Sequence, residues 1–197
     1  MRPLMSLAVV AVLVAACGPA VPEGDQASGE TGGRRYGVGT PASVAAVARV
    51  DRDIGADGVG LPPGRGTVVE GERVYQAQCA NCHGAAAAGM GSAYPALAGR
   101  EPREGFAFGA DPRLVRTIGN YWSHATALVD YIRRAMPFLT PGSLSDNEVY
   151  AVSAYLLALN ELLPMDGALD SAAVMAIRMP AADRFVRDDR RGGSEVK

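Results

Sequence analysis

Apolar side chains recur at helical spacing in three segments of the chain. In residues 68–79 and again in residues 123–135, apolar positions return every three or four residues, which predicts two helices. Residues 146–160 carry the strongest apolar stripe of the chain, formed by Val149, Val152, Leu156 and Leu159. No segment alternates convincingly between apolar and polar residues, as a strand would. The pattern therefore predicts an all-α fold.

The third predicted helix has start and stop signals in the sequence. Ser145 and Glu148 form the Ser-x-x-Glu pattern of a capping box just ahead of the apolar stripe. Pro164 ends the helical region, because proline lacks the amide hydrogen that a helix interior requires. Tyr75 in the first helix and Tyr155 in the third are expected to pack together where the two helices cross.

The first residues have the pattern of an export signal. Arg2 is followed by an uncharged, mostly apolar run through Ala16, which is too short to span a bilayer as a helix. The segment Val14-Ala15-Ala16-Cys17 resembles the lipobox of bacterial lipoproteins, in which the signal is cut before a cysteine that carries the lipid. An ordinary signal peptide cleaved near Ala16 is the alternative. We expect a periplasmic protein, anchored to a membrane as a lipoprotein through Cys17.

The chain after this signal peptide (residues 1–16) divides by composition into four parts. Residues 17–35 are Gly, Pro and polar residues without a period, which indicates a flexible tether. Residues 36–66 form an expected extended arm with a short helix after Thr40. Residues 67–163 hold the three predicted helices and form the compact domain. Residues 164–197 make a C-terminal arm and a charged tail.

Composition and charge narrow the possible functions. The chain has 19 Lys and Arg residues against 21 Asp and Glu residues, a net charge of −2, so we expect no nucleic-acid partner. Its 48% of hydrophobic residues is enough to bury a core, while 24 glycines indicate many loops. With only three cysteines, a disulfide-dense scaffold is excluded.

One motif carries specific chemistry. Residues 79–83 read Cys-Ala-Asn-Cys-His, and the spacing Cys-x-x-Cys-His is typical of covalent haem c attachment. Cys79 and Cys82 can add to the two vinyl groups at one haem edge, which carries His83 under the iron. A zinc half-site would need two more soft ligands, and the only other cysteine is Cys17. A thioredoxin-like dithiol, the other alternative, would follow a strand rather than end a helix.

A methionine is the expected sixth ligand of the iron, because a His/Met pair is typical of electron-transfer cytochromes and raises the reduction potential. Met136 precedes Pro137, which disfavours helical backbone at Met136 and leaves its thioether on a loop after the second helix. Met179 is also followed by proline and is the alternative sixth ligand. The remaining candidates are Met90, Met165, Met175 and, for a bis-histidine site, His124.

The block of residues 69–163 resembles a class I c-type cytochrome domain. A helix leads into the haem motif, a Gly-rich loop follows, a middle helix runs to Met-Pro, and a capped helix closes the block. In this family a loop proline carbonyl accepts a hydrogen bond from the second nitrogen of the proximal histidine, and Pro95 fits that place. The resemblance also makes three residues candidates for contacts with the haem propionates or for ordinary packing: Arg100, Tyr121 and Trp122.

Longer strings, among them DGVGLPPGRGTVVEGERVY and GNYWSHATALVDYIRRAMPF, resemble the cytochrome c subunit of periplasmic sulfur-oxidising molybdoenzymes. These are sulfite dehydrogenase and the sulfane dehydrogenase of the thiosulfate-oxidising system, and the similarity covers roughly residues 36–190. The resemblance implies a monohaem electron-transfer subunit that is not catalytic alone. A separate molybdenum subunit would oxidise sulfite or protein-bound sulfane sulfur, and this haem would pass the electrons to a downstream cytochrome c.

Three other functions fit parts of the sequence. A generic lipid-anchored cytochrome c would shuttle electrons without a molybdoenzyme partner. A haem enzyme or gas sensor would keep one iron position open, so replacing Met136 would leave its spectrum unchanged. A non-redox binding lipoprotein would carry the Cys-x-x-Cys-His motif by coincidence and would hold no covalent haem.

Overall fold

The structure, a computed structural model, describes residues 41–186. The expected signal peptide, the tether, Cys17 and the end of the charged tail lie outside these residues. Six helices are present in the described part: α1 Val44–Val50, α2 Val68–Gln78, α3 Ala80–His83, α4 Ala125–Ala135, α5 Asp146–Leu159 and α6 Ser171–Ala176. Two strands, β1 Arg65–Thr67 and β2 Ala168–Asp170, and two short 3-10 turns, Ala107–Gly109 and Ala182–Arg184, complete the elements. None of the helices within residues 41–186 has both the length and the apolar character needed to cross a membrane.

The predicted all-α class is confirmed, with one small sheet in addition. The three helices expected from the apolar pattern are α2, α4 and α5, and the expected short helix after Thr40 is α1. The sheet consists of β1 and β2, paired antiparallel with Gly66 opposite Leu169. Each strand has only three residues, which is too few for an alternating pattern to be recognised in the sequence.

Helices α2 and α5 each begin with a capping box. In α5 the amide of Glu148 donates to Ser145 Oγ at 3.4 Å, and the amide of Ser145 donates to the Glu148 carboxylate at 2.8 Å, which confirms the predicted cap. In α2 the same reciprocal pair joins Thr67 and Glu70 at 3.2 and 2.8 Å. Such a cap satisfies amides that lack an intrahelical partner and stabilises a helix by about 1 kcal/mol.

Helix α5 is the centre of the core. All residues from 149 to 158 are buried, so this helix has no face toward solvent along most of its length. A helix that is apolar all round must be covered on every side. Helices α2 and α4 and both strands pack against it, and they supply that cover.

Helices α2 and α5 approach each other at a glycine. A Cβ atom added to Gly71 would lie 1.8 Å from the Ala151 carbonyl oxygen, so only glycine permits this contact between the two backbones. One turn further along, the rings of Tyr75 and Tyr155 pack with centroids 5.3 Å apart, as predicted for the helix crossing. The Tyr75 hydroxyl also donates to the carbonyl of Gly84 at 2.7 Å, which ties the crossing to the loop after α3.

The segment between α1 and β1 is bound to the helical core. The Tyr150 hydroxyl, which is buried, donates to the carbonyl of Pro62 at 2.7 Å. The amide of Ile54 donates to the carboxylate of Asp130 in α4 at 2.9 Å, and the Ile54 side chain is buried. These contacts fix the segment on α4 and α5. Helix α1, by contrast, buries none of its own residues.

Replacing Gly71 by alanine tests the close approach of α2 and α5. We expect Gly71→Ala to lower the free energy of unfolding by about 2 kcal/mol, because the new methyl group overlaps the α5 backbone. Thermal or urea unfolding of the purified holoprotein measures the effect. The control is Glu72→Ala, an exposed position on the same helix, for which we expect little change. Equal stability of the two variants would contradict the packing described here.

Candidate functional site

The Cys-x-x-Cys-His motif begins where α2 ends. Cys79 ends α2 with backbone angles φ −123° and ψ −36°, and the chain re-enters a helical turn in α3. The amides of Cys82 and His83 donate to the Cys79 carbonyl at 3.1 and 2.9 Å. Residues three and four apart on a helical turn share one side of it. The turn therefore brings both thiols and the imidazole to one region of the surface.

The state of the two thiols bears on the dithiol and zinc alternatives. Cys79 and Cys82 are half-buried and form no disulfide. Burial, together with the charge of the neighbouring Cys82 thiolate, raises the pKa of Cys79 to about 11, whereas the attacking thiol of a redox dithiol has a lowered pKa. Within residues 41–186 no group of three or more His, Cys, Asp and Glu side chains is placed to hold a metal ion.

The imidazole of His83 has one nitrogen committed to the protein. Its Nδ1 lies 2.9 Å from the carbonyl oxygen of Pro95. Because a carbonyl only accepts hydrogen bonds, Nδ1 carries the hydrogen and donates it. This fixes the tautomer in which the Nε2 lone pair is free to bind a metal ion, and the acceptor raises the basicity of the ring.

The loop after α3 places Pro95 against His83 by closing on itself. The amide of Gly89 donates to the His83 carbonyl at 2.9 Å, and the amide of Leu97 donates to the Ala87 carbonyl at 2.8 Å. Gly89 has a φ of +80°, and a Cβ atom there would lie 2.6 Å from the amide nitrogen of Ala96. Glycine is therefore required at this position, because any side chain would push away the segment that carries Pro95.

A buried asparagine fastens the end of this loop to the core. Asn160, directly after α5, has no exposed surface, and its side chain accepts from the amide of Gly99 at 2.9 Å. The same side chain donates to the carbonyls of Leu97 and Leu156 at 3.1 and 2.8 Å. Sequence reasoning placed Asn160 only at the end of a helix. The one signal was a polar residue closing a run of apolar ones.

The two candidate sixth ligands differ in burial. Met136 caps the C-terminus of α4 in extended backbone, with φ −122° and ψ 149°, as expected for a residue before proline. Its side chain is half-buried. Met179 is 2% exposed and belongs to the hydrophobic core, where a methionine commonly fills space. The other candidate methionines are exposed: Met90, Met165 and Met175.

The remaining candidates contact protein neighbours. His124 is exposed just before α4, and its Nδ1 lies 2.9 Å from the Ser123 hydroxyl oxygen. The Arg100 guanidinium donates to the backbone carbonyl of Asn160 at 3.1 Å. The other two are in aromatic contacts: Trp122 with Tyr131 at 5.8 Å, and Tyr121 with Phe106, Phe108 and Phe185 at 5.2 to 5.6 Å.

The donor set of this site fits a covalently attached haem. Two unpaired thiols lie three residues apart on one turn, and the next residue is a histidine with Nε2 free. A second potential ligand, the thioether of Met136, stands on non-helical backbone. Thioether attachment of haem needs the two thiols beside the histidine. Coordination of the iron by a His/Met pair needs in addition a methionine thioether such as that of Met136.

Comparison with known proteins agrees with this chemistry. Residues 66–156 match the family model described as cytochrome c oxidase, cbb3-type, subunit III. The chain is 31% identical over 99 residues to thiosulfate dehydrogenase of Stutzerimonas stutzeri, an alignment that covers 48% of this chain and 28% of that protein. The chain thus spans less than a third of the length of that relative.

A solved structure is similar over most of the chain. The sulfane dehydrogenase SoxCD from Paracoccus pantotrophus contains a chain with 36% sequence identity and a TM-score of 0.68, and the match covers 79% of this chain and 74% of that one. The chain therefore belongs to the cytochrome c family, as a class I cytochrome related to those of sulfur-oxidising dehydrogenases, and is an electron-transfer protein with covalently bound haem c.

Proposed function

We propose that this protein is a periplasmic monohaem subunit that takes electrons from a molybdenum-containing sulfite or sulfane dehydrogenase subunit and passes them to a downstream cytochrome c. The observation that carries the proposal is the extent of the similarity to the sulfane dehydrogenase, which covers 79% of this chain. The cytochrome family model matches only residues 66–156, so the similarity includes segments outside the haem-binding block. A generic electron shuttle has no need of those shared segments.

Each residue of the site has a distinct part in the proposed function. Cys79 and Cys82 would hold the haem by thioether bonds, and His83 and Met136 would supply the nitrogen and sulfur ligands of its iron. The bound haem supplies a one-electron iron couple, which suits stepwise removal of two electrons from a donor. The Pro95 carbonyl orients the His83 ring through the hydrogen bond at 2.9 Å. No residue of this chain is proposed to bind sulfite or sulfane sulfur.

Replacement of the two candidate methionines identifies the sixth ligand. We expect Met136→Ala to abolish the sulfur-to-iron absorption band of the oxidised protein and to lower its reduction potential, because a Met ligand raises the potential. The matched variant Met179→Leu should keep both properties, since its core position is apolar and similar in volume. Visible spectra and a redox titration provide the measurement. If only Met179→Leu loses the sulfur-to-iron band, Met179 is the sixth ligand instead.

Purification from the native host tests the molybdenum partner. We expect molybdenum to copurify with covalent haem, and sulfite or a sulfane-sulfur donor to reduce the haem in that preparation. Elemental analysis and the reduced haem spectrum report these two results. Reduction by sulfite assigns a sulfite dehydrogenase, and reduction only by the sulfane donor assigns a sulfane dehydrogenase. Covalent haem without molybdenum would favour the generic lipid-anchored shuttle.

Replacement of the lipobox cysteine tests the proposed anchor. The signal-like residues 1–16 and the small residues before Cys17 support export and lipidation. We expect Cys17→Ala to move the haem protein from the membrane fraction to the soluble periplasmic fraction, because the acyl chains would be lost. Haem staining of cell fractions gives the readout. An unmodified protein already found in the soluble fraction, with no change in Cys17→Ala, would instead support an ordinary signal peptide.

A further inference from the structure

We propose that Asn160 is a positioning residue for His83 and thereby sets the reduction potential of the protein. The inference rests on the proposed attachment of haem at Cys79, Cys82 and His83. Asn160 does not contact the imidazole. It acts through the loop that carries Pro95, whose carbonyl accepts the hydrogen bond from His83 Nδ1.

The Asn160 side chain makes three of its four possible hydrogen bonds, and two of them bind that loop to the end of α5. Its oxygen accepts from Gly99, and its two N–H groups donate to Leu97 and Leu156, at 2.8 to 3.1 Å. Leu156 is within α5, so a single amide group joins the helix to the loop residues two and four positions after Pro95. With no exposed surface at Asn160, water is not available to replace these bonds.

A second buried residue braces the same loop from the other side. The hydroxyl of Thr117 donates to the carbonyl of Gly99 at 2.5 Å, and Thr117 is 4% exposed. The amide of Ile118 donates to the carbonyl of Leu97 at 3.2 Å. Leu97 and Gly99 are therefore held between α5 and the segment before α4, and these two fixed residues hold the part of the loop that follows the Pro95 carbonyl.

The position of that carbonyl determines how strongly the imidazole is polarised. A close acceptor at Nδ1 gives the ring partial anionic character and makes Nε2 a better donor to an oxidised metal ion. A retreating carbonyl weakens this polarisation and favours the reduced state, so the reduction potential rises. Asn160 thus affects the potential without touching the cofactor ligands.

The test uses the full-length holoprotein with Asn160→Ala and Thr117→Val, the second of which keeps the shape of the side chain while removing its hydroxyl. Two properties are measured: the reduction potential, by spectroelectrochemical titration, and the solvent-exchange rate of the His83 Nδ1 hydrogen in the reduced protein, by NMR. We expect both variants to raise the potential, Asn160→Ala more strongly, and exchange in Asn160→Ala to be faster by about tenfold or more.

The matched control is Asn147→Ala. Asn147 lies in α5 and also accepts from a backbone amide, that of Arg65 at 3.0 Å, but it is exposed, and its partner belongs to β1 rather than to the Pro95 loop. In Asn147→Ala, the reduction potential and the exchange rate of the His83 Nδ1 hydrogen should stay at the wild-type values. Wild-type values in both test variants, even with reduced thermal stability, would show that Asn160 is only structural and would overturn the proposal.

The outcomes separate this inference from the proposed function. If Asn160→Ala does not fold, Thr117→Val decides, because its effect on the same loop has the same sign. A potential shift in Asn147→Ala as large as that in Asn160→Ala would also overturn the positioning role. Failure of the haem assignment itself appears in the unmodified protein, as a lack of covalent haem in its spectrum.

Discussion

The burial of α5 on all sides is the constraint from which most of the structure follows. Residues 149–158 leave no face for solvent, so elements from both halves of the described chain must pack around them. Helix α2 does so with its backbone in contact at Gly71, and the strands close another side. Because α2 runs directly into the Cys-x-x-Cys-His turn, the same packing that hides α5 also presents the two thiols and His83.

The site is accordingly held by the core at more than one point. Tyr75 in α2 packs on Tyr155 and hydrogen-bonds the backbone just after His83, while the end of α5 holds the loop that supplies the acceptor for its imidazole. Met136, the proposed sixth ligand, follows α4, which also packs on α5. A rigid frame of this kind limits the structural rearrangement that accompanies gain or loss of an electron, which is what an electron-transfer protein requires.

Features that depend on neighbouring residues could be predicted from the sequence, whereas contacts between residues far apart in sequence could not. Helices α2, α4 and α5 were predictable because periodicity and capping residues act within a few positions, and the haem motif because its chemistry demands a fixed spacing. The pairing of Arg65 with Asp170 was not predictable, because strands of three residues are too short to show an alternating pattern of apolar and polar residues. Asn160 was missed because its partners are backbone groups of a remote loop. Met136 and Met179 both precede proline; the sequence favours Met136 because it follows the middle helix, and the structure adds that Met179 is buried in the core.

The pairing of β1 with β2 has a consequence for biogenesis. The two strands are about a hundred residues apart in sequence, and α2 packs on α5, which comes much later in the chain. The core therefore has a large share of contacts between residues far apart in sequence. A chain made in N-to-C order cannot close this core until the residues around Asp170 have followed. Until then Cys79 and Cys82 are not held in their half-buried positions, so both thiols are accessible for thioether formation before the core closes.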